Sequence, residues 1–380
     1  MSETAPRRRI GVLYGGRSAE HDVSCASGLS VLRAIDESRF EAVAVGMTRE
    51  GRFVVPPLPE VAAAVGGAAA AGANAIADHI DARGAEVRFA SAREPGRVDV
   101  VDATSGAVVT TLDVVFPVLH GPFGEDGTIQ GMFEVLGVPY VGSGVLGSAV
   151  GMDKVAMKRA LRAEGLPVGP YRWFHEAAWR ATPGLGAQVM DELGAVVFVK
   201  PANLGSSIGI TRVDDPGDID TAVEAAFAFD DCVVVEASLS GREVECGILG
   251  GRVPAASRPG EIVVAGGWYD YSAKYLDAAA AQLHVPADLP PDWEQRVRDL
   301  AVAAFVAVGC WGLARVDFFC DPPAGAVWVN EVNTMPGFTS ISMYSKMWAA
   351  TGRDYASLVA ELIELAFERH RLLVRRSSTP

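Results

Sequence analysis

Residues 313–333 read LARVDFFCDPPAGAVWVNEVN, two apolar runs joined by the turn-forming DPPAG. Arg315 and Asp317 stand two apart on the first run, as do Glu331 and Asn333 on the second, so each pair shares one face of its strand. With the turn centred near Ala324, Asp317 lies across from Glu331 and Arg315 across from Asn333. Two carboxylates beside an amide repel one another unless a cation lies between them. Oxygen-only donors of this kind suit Mg²⁺ held together with phosphates and water. An exposed ion-pair ladder would use the same residues; Phe318, Val329 and Val332 beside them weigh against full exposure.

A partner for such a hairpin stands upstream. Residues 196–210, VVFVKPANLGSSIGI, combine a buried strand (195–199), Lys200 at its end, and a Gly/Ser turn whose backbone N–H groups can approach anionic oxygens. The order of a Walker A loop is absent. Lys154, in GMDK at the start of a helical pattern over 153–164, is a second candidate phosphate ligand, although a lone lysine there also reads as a solvated helix charge.

Toward the N-terminus, a strand (9–13) breaks at Gly15-Gly16, a helix follows over 23–35, and a strand over 41–47 completes a β-α-β unit, the opening of a doubly wound sheet. A strand over 112–119 delivers the loop HGPFGEDG, a helix follows over 129–136, and VPYVGSG reads as a further strand and turn. The Ala/Gly-rich stretch 61–75 reads as a surface helix or insertion without chemistry. Further elements are a helix near 217–229, strands at 232–236 and 243–249, a helix over 290–308, and a closing helix over 355–371. Residues 266–289 are polar, aromatic and without a period, which in a compact enzyme marks a functional lid or disorder. The division expected is 1–143, 144–240 and 241–380.

At 380 residues the chain has room for two or three domains and a cleft between them. Its formal charge of -14 speaks against general nucleic-acid binding but not against a nucleotide, because a bound metal supplies much of the counter-charge. The start, MSETAPRRRI, has no secretory pattern, and no apolar run reaches the roughly 20 residues of a membrane helix. A cytoplasmic location is expected. Cys25, Cys232, Cys246, Cys310 and Cys320 are scattered without metal or redox spacing and read as reduced, buried small residues. GVLYGG is not the G-x-G-x-x-G of a nicotinamide-binding turn.

Eight motifs in order, GGRSAEHDVS, HGPFGEDGTIQG, GSGVLGSAVGMDK, VKPANLGSSIG, VVEASLSGREVE, YDYSAKY, ARVDFF and NEVNTMPGFTSISMY, resemble the D-alanine-D-alanine ligase family over nearly the whole chain. The resemblance implies an α/β chain, α+β in parts, with the ATP-grasp fold: an N-terminal Rossmann-like domain and two further domains enclosing ATP and two Mg²⁺ or Mn²⁺ ions. It implies ADP-forming ligation of two D-alanines through a D-alanyl phosphate for peptidoglycan synthesis, and a homodimer. On this resemblance Lys154 and Lys200 hold phosphates, with Ser206, Ser207, Lys274, Asn330 and Glu331 also at the nucleotide. Glu236, Ala237 and Leu239 lie at the adenine and Glu243 at the ribose; many relatives carry lysine where Ala237 stands. Asp317, Glu331 and Asn333 bind the metals. Glu20 takes the ammonium of the first D-alanine beside His120 and joins Ser206 and Tyr275 in a hydrogen-bonded triad under the lid. Arg315 and the backbone N–H of Gly337 form the oxyanion hole. Ser342 and the backbone of Met343 hold the second carboxylate, and Lys274 adds positive charge. His120 could instead only orient its own loop. Tyr275 speaks for D-alanine over D-lactate as the second substrate. A ligase of the same fold for another amino acid or a peptide, and a non-catalytic nucleotide-binding protein, are the alternatives.

Overall fold

A computed structural model describes residues 7–57, 84–205, 208–264 and 281–377. Its first unit opens as the sequence implies: β1 (Arg8–Gly15), α1 (His21–Ala34) and β2 (Phe40–Met47), with β1 and β2 parallel. Gly15 and Gly16 both take left-handed φ, 94° and 103°, which lets the chain turn sharply from β1 toward α1. The sheet then grows by an antiparallel meander, β3 (Phe53–Val55), β4 (Ala85–Ser91), β5 (Val98–Asp102) and β6 (Val108–Leu112), while β7 (Val114–Pro117) pairs parallel to β1 on the other side. The run expected as one strand over 112–119 is therefore two strands at opposite ends of the order β6-β5-β4-β3-β2-β1-β7. Asp113 alone links them, so the sheet curls until its edges approach and Leu112 packs over Gly11. The Asp113 carboxylate accepts from Arg9 N–H at 2.7 Å and Arg97 Nε at 2.7 Å, which fixes the break. The strand expected in VPYVGSG is a single bridge from Tyr140 to Val115. The stretch 61–75 lies outside the described residues.

After α2 (Thr128–Leu136) and α3 (Val145–Met152), α4 (Lys154–Ala163) is capped by Asp153, whose side chain accepts from Ala156 N–H. Then β8 (Tyr171–His175), α5 (Glu176–Ala181), α6 (Leu185–Leu193), β9 (Val197–Pro201), β10 (Thr211–Val213), α7 (Ile219–Phe227) and β11 (Cys232–Ala237) build a four-stranded antiparallel sheet in the order β10-β9-β11-β8. The third sheet follows: β12 (Arg242–Gly250), β13 (Ala255–Ala256), β14 (Gly260–Val264), β15 (Ala281–His284), β16 (Gly312–Asp321) and β17 (Ala326–Asn333), with α8 (Pro291–Val308) packed on it. Thus part of the 266–289 stretch is a paired strand, since β15 pairs antiparallel with β14. α9 (Met343–Ala350) and α10 (Tyr355–Ser377) close the chain.

Packing does not respect sequence order. One core joins Ile10, Val12, Leu29 and Phe116 to Leu313, Phe338, Leu358 and Leu362. A second joins Met157 and Leu161 of α4 to α8 and the third sheet. One face of the middle sheet packs around Val199, Val223 and Val233, and the other gives Tyr171, Cys232 and Val234 to the second core. All five cysteines are buried, and none is in a disulfide. Among the described residues, no helix is long and apolar enough to cross a membrane.

Candidate active site

The hairpin has the register read from the sequence, Asp317 opposite Glu331 and Arg315 opposite Asn333, but it arrives there by a bulge. Around the turn Asp321 pairs with Ala326 and Phe318 with Val329; the register then shifts, leaving Asn330 as the extra residue before Glu331. Without it Asp317 would face Asn330, so the bulge is what sets the two carboxylates across from each other. On the other side of β16, Glu245 of β12 lies across from Asp317. Arg315, 9% exposed, closes a two-bonded pair on Asp317, Nε to Oδ1 and Nη2 to Oδ2 at 2.7 Å each, and its Nε is 3.2 Å from Glu245 Oε2. Burial alone would pull its pKa down; Asp317 and Glu245 outweigh that and hold the guanidinium charged. Glu245 is absent from the sequence reading. The signal was present, since a strand starting at Arg242 puts Glu245 on the same face as Glu243.

Facing this acidic cluster is a cationic one. Lys154 opens α4 and its Nζ donates to the Leu204 carbonyl, while its backbone N–H donates to Ala202 at 3.0 Å. Burial lowers the Lys154 pKa, and Glu331 opposes the shift. Lys200, at the end of β9, donates to Glu236 Oε2 at 2.7 Å. A third lysine, Lys158, which the sequence reading passed over, reaches the other oxygen, Oε1, at 3.0 Å. Burial would raise the Glu236 carboxyl, but Lys158 and Lys200 hold it at about 2. The Glu236 side chain is thus an anchor for two lysines, while Ala237 and Leu239 continue beyond it, half-buried, with Ala237 N–H on the Pro170 carbonyl.

The remaining pole comes from the first sheet. Glu20 precedes α1 and is 8% exposed; a Cβ on Gly121 would lie 2.6 Å from its Oε2, so glycine there leaves room for the carboxylate. His120 donates from Nδ1 to the Met335 carbonyl at 3.0 Å, because a carbonyl can only accept, and its Nε2 accepts from Ser27 Oγ at 3.0 Å. Burial keeps its pKa low against the pull of Glu20. A neutral ring with both nitrogens engaged orients the loops around it and is no free proton acceptor. Glu125, also missed, accepts from Gly121 N–H at 2.8 Å, and burial followed by the charge of Glu20 raises its pKa well above the usual range. Between them, Phe123 takes a left-handed φ of 67° under the Arg17 guanidinium, a strained turn characteristic of a site loop. His21, given no role, is buried with Nδ1 on the Gly16 carbonyl.

Glu20, His120 and Glu125, Lys154 and Gly205, and Arg315, Glu331, Asn333 and Gly337 line one cleft. Family descriptions of the D-ala D-ala ligase N-terminus and C-terminus match residues 9–143 and 160–364. The chain belongs to the D-alanine-D-alanine ligase family. It is similar to the D-alanine-D-alanine ligases of Nocardia farcinica, 50% identical over 372 residues covering 96% of this chain and 98% of that one, and of Mycobacterium sp. strain KMS, 48% identical over 393 residues covering 96% and 97%. Among solved structures it is similar to the D-alanine-D-alanine ligase from Coxiella burnetii (TM-score 0.82, 33% identity, 98% and 97% of the chains covered). The VanG D-Ala:D-Ser ligase from Enterococcus faecalis is comparable (TM-score 0.81, 33% identity, 95% and 100% covered). The fold is therefore ATP-grasp, as the resemblance implies.

Within this D-alanine-D-alanine ligase family member, Asn333 Oδ1 accepts from Met335 N–H at 3.1 Å, drawing the acidic hairpin and the Gly337 loop together. Ser342 precedes α9; its Oγ accepts from Thr339 N–H at 3.0 Å and is 2.7 Å from Thr339 Oγ1, while Met343 packs against Ile262 and Met347. Glu243 lies on β12 across from Phe319, two residues before Glu245. Ser206, Ser207, Lys274 and Tyr275 lie outside the described residues. No group of three or more His, Cys, Asp or Glu side chains placed to hold a metal occurs among the described residues; the hairpin offers two carboxylates and an amide.

Proposed function

We propose that this chain is an ADP-forming ligase that joins two D-alanines for peptidoglycan precursor synthesis. The observation that carries the reading is the meeting, in one cleft, of Lys154, the hairpin residues Arg315, Glu331 and Asn333, and an amino-acid pole at Glu20, in a chain of this family. A carboxylate is a poor electrophile, so ATP first converts the D-alanine carboxylate to an acyl phosphate; the amine of the second D-alanine then attacks that carbonyl and expels phosphate. Glu20 holds the first ammonium, and Lys154 and Lys200 take the triphosphate. Arg315 and the Gly337 N–H stabilise the oxyanion, a contribution of about 3 kcal/mol for one well-placed donor. Ser342 and Met343 take the second carboxylate, and the adenine lies along Glu236, Ala237 and Leu239.

Asp317, Glu331 and Asn333 fit a divalent cation, because two carboxylates face each other across the hairpin with an amide oxygen two residues on, a donor set of oxygens only. Mg²⁺ or Mn²⁺ bound there would neutralise triphosphate charge. The three-part division at 143 and 240, a homodimer and a cytoplasmic location complete the proposal. Release of ADP with D-alanine as sole amino acid tests it, with product identified by mass. No release with D-alanine would overturn it, and ester formation with D-lactate or a preference for D-serine would reassign the second substrate.

A further inference from the structure

Lys158 is 3% exposed and follows Lys154 by four residues, one turn along the same face of α4. Lys154 borders the cleft, whereas Lys158 sits further in, its Nζ 5.6 Å from the centre of the Tyr171 ring and 3.0 Å from Glu236 Oε1. A buried lysine survives in such a place only with a close anion, and a buried glutamate only with a close cation. Glu236 has two cations, one on each oxygen. If Lys200 turns toward a phosphate, Glu236 loses one of them in a site where an unpaired carboxylate is costly.

We propose that Lys158 is a positioning residue for the nucleotide: the lasting counter-ion of Glu236, which keeps that carboxylate charged and turned to the exocyclic amino group of the purine while Lys200 passes to the phosphates. The proposal rests on the placement of Glu236 and Lys200 at ATP given above. It assigns Lys158 no contact with substrate. A carboxylate held charged accepts from an amino group and repels a ring carbonyl, so Lys158 also favours adenine over a purine with oxygen at that position.

The test is steady-state kinetics of the full chain with ATP and with inosine triphosphate, whose ring carries a carbonyl in place of the amino group. In Lys158→Met, KM for ATP is expected to rise roughly 30-fold while kcat and KM for D-alanine stay within about twofold. The preference for ATP over inosine triphosphate is expected to fall about tenfold, and Lys158→Arg is expected to restore most of both values. A folded Lys158→Met variant with parental KM for ATP and parental purine preference overturns the proposal, as does a loss confined to kcat. Should that variant not fold, Lys158→Gln keeps a neutral donor to Glu236, and parental values in it overturn the proposal equally. Glu236→Ala separates the two levels: if it retains the parental purine preference, the placement of Glu236 at adenine fails; if it loses the preference while the Lys158 variants keep it, only the role of Lys158 fails.

Discussion

The two walls of the cleft are electrostatic opposites built on one plan. On one, Asp317, Glu331 and Glu245 gather around Arg315; on the other, Lys154, Lys158 and Lys200 gather around Glu236. In each case a residue of opposite sign lets like charges share a poorly solvated place. The walls differ in how they are made. The acidic wall rides on adjacent strands, β12, β16 and β17, whose ladder fixes the side chains before any ligand is considered. The lysine wall is assembled from α4, β9 and β11. A wall set wholly by strand ladders suits the chemical step, where small misplacements are costly; a wall that takes Lys154 and Lys158 from a helix beside the paired β9 and β11 suits grasping a ligand.

The largest effect is expected at the acidic wall. Arg315→Ala should lower kcat on the order of a hundred- to thousandfold, with the dissociation constant for ATP changed far less, measured by turnover and by nucleotide titration. A parental kcat would break the contrast between the walls. Next, Lys200→Met should raise KM for ATP by roughly 30- to 100-fold with a smaller change in kcat; a loss confined to kcat would merge the two walls into one function. Asp317→Ala and Glu331→Ala should each raise the Mg²⁺ concentration for half-maximal rate by roughly tenfold, and parental titration curves would remove the hairpin from metal binding.

The smallest expected effect concerns stability. The folded pKa of Glu125 lies above its usual value, so the folded state keeps its proton where the unfolded chain has lost it. The contribution is present below about pH 4.5 and is lost as pH rises through the folded pKa. Glu125→Gln keeps the acceptor for Gly121 N–H without the titration. It should be more stable than the parent at pH 8, the gap closing as pH falls toward 4.5, as read from urea midpoints. A gap independent of pH would show that the carboxyl does not titrate as its burial implies.

The acidic wall was the more legible of the two because a period of two announces itself in twenty residues of sequence. Even there the turn centre alone was inferred; the bulge at Asn330 that makes the register work is a local geometry no apolar pattern encodes. Lys158 was invisible for the converse reason: on an amphipathic helix, a lysine one turn after another reads as a solvated face until the glutamate beneath it, 78 positions away in the chain, is seen. The break at Asp113 was missed because the apolar residues on either side run together, and only two arginines distant in sequence reveal what the aspartate is for. Glu125 lay inside a quoted motif, but its partner Glu20 is brought to it by folding.

The shared core of Ile10, Phe116, Leu313, Phe338 and Leu362 has a consequence for how the molecule comes apart. A fragment ending at Ser143 would lay bare the faces of Val12, Leu29 and Phe116 that α10 and the Phe338 loop cover, and should not hold a native fold in isolation. Hydrogen exchange should find the first sheet and α10 opening as a single cooperative unit. The two ends of the chain are thus bound into one folding event, with the lysine wall's strands β9 and β11 hung between them.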